Sequence, residues 1–201
     1  MTRLVDDLDR TVADACAALR GALDRDWDVL PPGMEWSCRG VVEHVSDDLF
    51  AYAAAIAPGT PETGTDVPFA RWAEPAGDEQ TVHTDPAAGN AGVVQVLDAC
   101  GGLLSAVART RGADARGWHP YGVSDPDGFA AMGTVETLLH LYDVAGPLGL
   151  TWDPDPDVVR RVLERLFPDE PTDDPWPTLL AATGRAGSDR TAWRWDGTVR
   201  S

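Results

Sequence analysis

The sequence has no lysine: all sixteen basic residues among its 201 residues are arginine. Enzymes that form a Schiff base on lysine, or that hold a nucleotide with a P-loop lysine, are therefore excluded. Basic residues are also outnumbered, because 33 acidic residues leave a formal net charge of −17. Since such a chain repels phosphate backbones and anionic lipids, we expect neither a nucleic acid nor a membrane surface as its partner.

Cysteine is scarce, and long hydrophobic runs are missing. The three cysteines, Cys16, Cys38 and Cys100, form no CxxC spacing, so the sequence predicts neither a disulfide framework nor a zinc finger. No uninterrupted apolar run reaches the roughly 18–20 residues of a membrane helix. Residues 1–7 also lack the basic and then apolar layout of a signal peptide. We therefore expect a cytoplasmic protein with reduced thiols.

Four long segments carry hydrophobic residues at steps of three and four, the spacing of amphipathic helices. Capping residues, prolines or glycines bound these segments, and Pro147 is expected to end the fourth. Two shorter helices follow, and the segment near the carboxyl terminus alternates like a strand. The predicted helices span about residues 2–25, 38–57, 85–110, 126–146, 155–167 and 174–182, with a long loop at 58–86 and a strand or hairpin arm at 191–197.

This series of helices predicts an all-α protein, one domain with an appendage. We expect residues 1–150 to form a metal-binding four-helix bundle. Residues 151–201 are expected to form a short helical and hairpin extension that packs on the bundle. Because bundles hold metals and ligands between facing helices, ionisable residues on the apolar helix faces are the candidates for function.

The fourth predicted helix carries three ionisable residues on or beside its apolar face. Glu136 and Asp143 fall within the apolar sector, and His140 lies at its edge, because these positions are four and three apart. A buried carboxylate without a partner is costly, so these side chains must find one. The spacing of Glu136 and His140 also allows both to bind one ion. The apolar sector itself is defined by Phe129, Met132, Val135 and Leu139.

A third ligand would have to come from another helix, and His44 is the histidine that lies within the second predicted helix. If the second and fourth helices are neighbours, His44, Glu136 and His140 can meet in the bundle core. Two imidazoles and a carboxylate suit Zn²⁺, and also Ni²⁺ or Fe²⁺. Asp48 and Asp143 are placed to orient the two imidazoles.

The same residues also have purely structural interpretations. A Glu-x-x-x-His pair is common on helix surfaces, and Glu136 and His140 could pair with each other or with an arginine. We expect His83 and His119, which lie in loops, to be solvated, with a smaller chance that His119 lines the site. Cys38, next to a helix cap, is expected to be a small packed side chain rather than a nucleophile.

Several motifs resemble the DinB-like superfamily, and more specifically its actinobacterial branch named after mycothiol-dependent maleylpyruvate isomerase. Residues 36–45 begin with a tryptophan and contain His44, and they are similar to the start of the family's second helix. Residues 133–143 are similar to the family's Glu-x-x-x-His-x-x-Asp signature. Residues 148–152 and 179–185 are similar to its usual continuation. Because these motifs extend from residue 36 to residue 185, the resemblance covers most of the chain, and their occurrence in the family's order makes it more specific than any one motif.

This resemblance implies a four-helix bundle that holds a divalent metal, usually zinc, with ligands corresponding to His44, Glu136 and His140. It further implies an enzyme in which a metal-bound low-molecular-weight thiol, mycothiol or in other lineages bacillithiol, attacks an electrophilic substrate in a transfer or isomerisation. The alternative is a non-catalytic, metal-stabilised bundle that binds a small molecule or serves in stress responses. Bundles of this sort also form homodimers.

Overall fold

A computed structural model of the chain describes residues 3–59, 64–73, 79–186 and 194–199. It contains six α-helices and a two-stranded antiparallel ribbon, which confirms the predicted all-α fold. The helices are α1 (Arg3–Arg20), α2 (Cys38–Ile56), α3 (Gly89–Thr110), α4 (Pro126–Leu148), α5 (Pro156–Leu166) and α6 (Pro175–Ala182). The strands are β1 (Trp72–Ala73) and β2 (Glu79–Gln80), and a 3-10 turn at Pro86–Ala88 precedes α3.

The helices that carry the candidate ligands begin at predicted caps. The side chain of Ser37 accepts a hydrogen bond from the backbone N–H of Gly40 at the start of α2. The side chain of Asp125 accepts a hydrogen bond from the backbone N–H of Gly128 at the start of α4, where Pro126 occupies the first turn. These side chains satisfy backbone donors that have no partner within the helix, so the sequence fixes where each helix begins.

Helix α4 is the centre of the bundle. α1 and α2 each pack against both α3 and α4, and α5 packs on α4 from outside the four. Every residue from Gly128 to Leu141 is therefore buried. The predicted apolar sector of α4 was too narrow, because small and apolar residues surround this helix on all sides. Any charged group on this stretch of α4 consequently lies in the protein interior.

Gly133 leaves room for side chains of three neighbouring helices to approach the α4 backbone. A Cβ atom at this position would lie 2.7 Å from methyl groups of Leu104 on α3 and Leu49 on α2, and 3.2 Å from one of Leu8 on α1. These distances are shorter than carbon–carbon contacts in packed cores. Three helices thus contact α4 where it has no side chain, one turn before Glu136.

Three predicted boundaries were wrong. α1 ends at Arg20 rather than near residue 25, and β1 and β2 lie within the segment predicted as a loop. α4 continues through Pro147 to Leu148. A proline in the last turn removes one hydrogen bond, but Leu148 is fully buried and Gly149 closes the helix in the left-handed conformation, with φ of 68°.

The chain beyond α4 returns to the bundle. α5 packs against α4 and α1, and α6 packs against α5. The predicted strand at 191–197 lies partly outside the described residues, and its described part, residues 194–197, is not a strand. There Trp195 is buried, and the backbone N–H of Asp196 donates to the Leu166 carbonyl at 2.8 Å. The domain boundary near residue 150 stays a prediction.

Residues Pro86–Thr110 form a helical stretch that is long and apolar enough to cross a membrane, with a mean hydropathy of 1.6. A search for uninterrupted apolar runs does not find this stretch, because polar residues interrupt it. Half of the apolar window is buried inside the protein, where α3 packs against the other three bundle helices. The core helices of soluble proteins have the same composition, so this helix is weak evidence for a membrane span.

Candidate metal centre

The three predicted ligands come together between α2 and α4. His44, Glu136 and His140 each offer one donor atom, and these atoms lie within 4.8 Å of one another. Glu136 is 4% exposed and His140 6% exposed. The side chain of His44 is 24% exposed, so the cluster reaches solvent on the α2 side. Among the described residues, this is the group of three or more potential ligands that is compact enough for a metal ion.

Local helix geometry explains the convergence. Glu136 and His140 are one turn apart on α4, so their side chains extend from the same face. His44 lies between Val41 and Val45 on α2, and both valines are fully buried. The packing of these valines turns the His44 side of α2 toward α4, which confirms that the second and fourth helices are neighbours.

Glu136 has one oxygen occupied by protein and one oxygen available. The Tyr52 hydroxyl donates a hydrogen bond to Glu136 Oε1 at 3.4 Å. Glu136 Oε2 lies 3.1 Å from His140 Nε2, an ion-pair distance without the angles of a hydrogen bond. This buried oxygen therefore keeps a lone pair available inside the cluster, the position that a cation would occupy.

His140 is held from its other side by a chain of charged groups. Its Nδ1 lies 3.2 Å from Asp143 Oδ2, again an ion-pair distance without the angles of a hydrogen bond. Arg185 grips the Asp143 carboxylate with two hydrogen bonds, Nε to Oδ1 at 3.1 Å and Nη2 to Oδ2 at 2.7 Å. The side chains of Asp143 and Arg185 are almost fully buried. The sequence predicts Asp143 as a residue that orients an imidazole, and this role stays a prediction. Arg185 ends the family-like residues 179–185, but nothing in the sequence assigns it to this site.

His44 has its own partners on α2. Its Nε2 lies 3.3 Å from Asp48 Oδ2 one turn later, as the sequence analysis predicted. Its ring is 5.3 Å from the His140 ring in an edge-to-face arrangement and 4.7 Å from the Trp36 ring. Trp36 belongs to the motif before α2, and it forms one wall of the exposed side of the cluster.

The electrostatics of the cluster reflect close opposite charges. Burial lowers the pKa of His140, but the carboxylates of Asp143 and Glu136 outweigh it and raise this pKa to about 9. Burial raises the pKa of Asp143, yet His140 and Arg185 bring it down to about 2. His140 likewise overcomes burial and lowers the pKa of Glu136. Burial and the charge of Glu136 raise the pKa of Asp48.

The two loop histidines are more enclosed than predicted. His119 packs among the rings of Tyr52, Tyr121 and Trp195, at centroid distances of 5.1–5.7 Å. Its burial lowers its pKa. Because Tyr52 bonds to Glu136, this aromatic group adjoins the cluster. His83 instead stacks on the ring of Trp72. Both histidines are half-buried, so the expectation that they are solvated was wrong.

The cysteines take no part in the cluster. Cys16, Cys38 and Cys100 are all buried and unbridged. Burial raises the pKa of each thiol to about 11, so all three are protonated near neutral pH. The full burial of Cys38 confirms that it is a packed side chain.

The chemistry of the donor set fits a divalent metal ion. Two imidazoles and one carboxylate form the kind of three-ligand set that catalytic zinc sites use, with further positions left for water or substrate. The available Glu136 Oε2 and the oriented ring of His140 add to this fit. The cluster therefore suggests metal binding, and the same donors suit Zn²⁺, Ni²⁺ and Fe²⁺.

Comparison with known proteins agrees with this geometry. No curated protein and no solved structure matches the chain. A family model described as the mycothiol maleylpyruvate isomerase N-terminal domain matches residues 5–145, which include most of α1, all of α2 and α3, most of α4 and all three clustered residues. Since this match covers most of the chain, the protein belongs to the mycothiol maleylpyruvate isomerase N-terminal domain family.

Proposed function

We propose that this protein is a divalent-metal-dependent enzyme that uses a low-molecular-weight thiol for transfer or isomerisation. In this proposal His44, Glu136 and His140 are the metal ligands, the metal is zinc, and the thiol is mycothiol. The family description supports the thiol, since it names mycothiol and an isomerase. The observation that carries the proposal is the convergence of three ligand atoms within 4.8 Å of one another between α2 and α4.

The residues around the ligands have distinct tasks in this proposal. Tyr52 holds one oxygen of Glu136, and Asp143 faces the Nδ1 side of His140, so both ligands are oriented before an ion binds. Asp48 supports His44 in the same way. A divalent ion at this position would supply Lewis acidity and bind a thiol as its thiolate.

The exposed side of the cluster is where small molecules would enter. His44 and Asp48 keep 24% and 22% of their side chains exposed, whereas Glu136 and His140 are below 10%. Trp36 lies beside this opening and offers an apolar surface to a substrate. We therefore propose that thiol and electrophile approach past α2, and that the buried α4 side excludes water.

The cellular setting of the proposal follows from composition and family. A net charge of −17 and three free buried cysteines favour a cytoplasmic enzyme that acts on small molecules and not on nucleic acids or membranes. The exclusive use of arginine, with abundant alanine and glycine, is typical of a GC-rich genome. Together with the family description, it supports an actinobacterial origin.

Native mass spectrometry of the protein as isolated, combined with elemental analysis, tests the proposal. We expect about one divalent ion per chain, saturable binding of mycothiol, and turnover of thiol with an electrophile. The matched control is Glu136→Gln, which keeps the shape of the ligand and removes its charge, and which should lose the ion. Wild-type protein that binds no ion on titration with Zn²⁺, Ni²⁺ or Fe²⁺ would overturn the metal site. Metal without thiol binding or turnover would support the non-catalytic alternative.

A further inference from the structure

We propose that Arg185 is a positioning residue for the metal centre, acting through Asp143 on His140. Arg185 lies in the turn after α6, outside residues 5–145 that match the family model. The inference rests on the proposed metal site and extends it: the segment after the bundle completes the support of a ligand. Docking of this segment and binding of the metal are then energetically coupled.

The first step is the geometry of the Arg185 side chain. It spans 42 residues of sequence to reach Asp143, and both oxygens of that carboxylate accept from it. The two side chains are 3% and 0% exposed. A bidentate guanidinium fixes the plane of a carboxylate as well as its position, so Asp143 cannot rotate freely.

The second step is the oxygen that two groups share. Asp143 Oδ2 accepts from Arg185 Nη2 at 2.7 Å and also lies 3.2 Å from His140 Nδ1. This oxygen holds the Nδ1 side of the imidazole at an ion-pair distance, without the angles of a hydrogen bond, and the Nε2 of the same ring faces Glu136 Oε2 at 3.1 Å. Carboxylates on the far nitrogen of a ligating histidine set its tautomer and orientation, and they raise its basicity.

The third step is the support of Arg185 itself. Its backbone N–H donates to the Leu180 carbonyl at 2.7 Å, closing the turn at the end of α6. The Thr183 side chain is fully buried, and its hydroxyl donates to the Leu179 carbonyl at 2.7 Å. Gly184 takes a positive φ of 71° between Thr183 and Arg185. The position of the guanidinium therefore depends on α6 being docked.

A second arginine provides a matched control. Arg161 on α5 also makes two hydrogen bonds to a buried carboxylate, that of Asp7 on α1, at 2.6 and 2.8 Å. Both arginines thus lie in the segment that follows the bundle, and each forms a bidentate pair with a carboxylate of the bundle. Arg161 contacts a carboxylate that is not part of the metal cluster. Loss of either pair weakens docking, but only loss of the Arg185 pair removes support from His140.

The experiment compares the Zn²⁺ affinities of full-length wild type, Arg185→Gln and Arg161→Gln by competition with a chromophoric chelator. We expect Arg185→Gln to bind zinc about 10–100-fold more weakly, the range found for residues that orient metal ligands, and Arg161→Gln to bind within about twofold of wild type. Arg185→Lys, which keeps the charge without the fork, should recover part of the loss. Asp143→Asn and Arg185→Gln should not be additive when combined.

Equal affinities of the wild type and Arg185→Gln would overturn the inference, while zinc binding by the wild type would leave the proposed metal site intact. Equal losses in both arginine variants would also overturn it, because they would show general destabilisation. If Arg185→Gln does not fold, hydrogen exchange of the wild type decides. Because coupling is reciprocal, zinc must slow amide exchange at the carboxyl end of α6. Unchanged exchange there on zinc saturation would then overturn the inference.

Discussion

Two buried polar regions of this protein differ in how completely their charges are paired. Where α5 meets α1, the carboxylate of Asp7 takes both of its hydrogen bonds from Arg161. Between α2 and α4, the buried acids Glu136 and Asp143 lie beside His140, and the Arg185 guanidinium bonds to Asp143 but not to Glu136. Glu136 Oε2 keeps an available lone pair there.

The difference separates a structural pair from a binding site. A buried carboxylate that is fully bonded to arginine has no capacity left for a ligand, and its energetic effect lies in the fold. A buried carboxylate beside two imidazoles, with one oxygen unfilled, has the capacity to bind a cation. Variants in the two regions should therefore separate metal affinity from fold stability, which gives the comparison five tests.

The largest effect is expected from His140→Ala, which removes a proposed ligand. Zinc affinity should fall by more than about 100-fold, since even residues that only orient ligands contribute about 10–100-fold. Isothermal titration with Zn²⁺ measures it. The control is His83→Ala, which removes a histidine that stacks on Trp72 away from the cluster. If the wild type and His140→Ala bound zinc with equal affinity, the cluster between α2 and α4 would not be a metal site and would not differ in function from the Asp7–Arg161 pair.

The next effect concerns stability in the other region. Asp7→Asn should lower the free energy of unfolding by about 3 kcal/mol, because it leaves Arg161 without its carboxylate. Since the Arg161 side chain is 25% exposed, solvent limits the loss to the lower end of the range for buried pairs. Urea unfolding of chelator-treated protein measures it. A parallel loss of zinc affinity would show that the two regions are not independent.

A third test uses pH. In the metal-free protein His140 holds a proton below a pKa of about 9, and a bound ion must displace it. Zinc affinity should therefore rise about tenfold per pH unit between pH 7 and 9, and then level off. Calorimetry in buffers of different ionisation enthalpy would count the released protons. A flat affinity across this range would contradict the charged state of His140.

The same pKa predicts the opposite trend for the metal-free fold. A raised pKa stabilises the folded protein fully below the ordinary histidine value of 6.5, and this contribution is lost as the pH rises through about 9. Unfolding curves of chelator-treated protein should show this decline, and Asp7→Asn should keep it. His140→Ala should abolish it.

The smallest effect is expected from Tyr52→Phe. This substitution removes the hydroxyl that donates to Glu136 Oε1 and keeps the ring, so zinc affinity should fall by about tenfold with little change in the fold. Chelator competition measures it. Tyr142→Phe is the matched control, because the Tyr142 ring packs against Trp176. An equal change in both variants would show that the Tyr52 hydroxyl has no specific role in the cluster.

Much of this architecture could be predicted from the sequence. Caps such as Ser37 and Asp125 act on their own helix, so helix starts follow from nearby residues. Glu136 and His140 share a face because the helical period requires it, and His44 stood out as a histidine on a second amphipathic helix. The long-range contacts could not be predicted. Arg185 ends the family-like residues 179–185, but its contact with Asp143 forms only after α6 docks, and the motif does not indicate that partner.

The absence of a side chain at Gly133 sets the spacing on which the cluster depends. Leu8, Leu49 and Leu104 occupy the volume that a methyl group would need, so alanine at this position would require these leucine side chains, or the helices that carry them, to move. A ligand set divided between two helices tolerates little displacement, because coordination distances vary by only about 0.2 Å. If these three ligands were transferred to another helical protein, that protein would therefore have to reproduce the distance between the axes of α2 and α4 as well as the ligand residues.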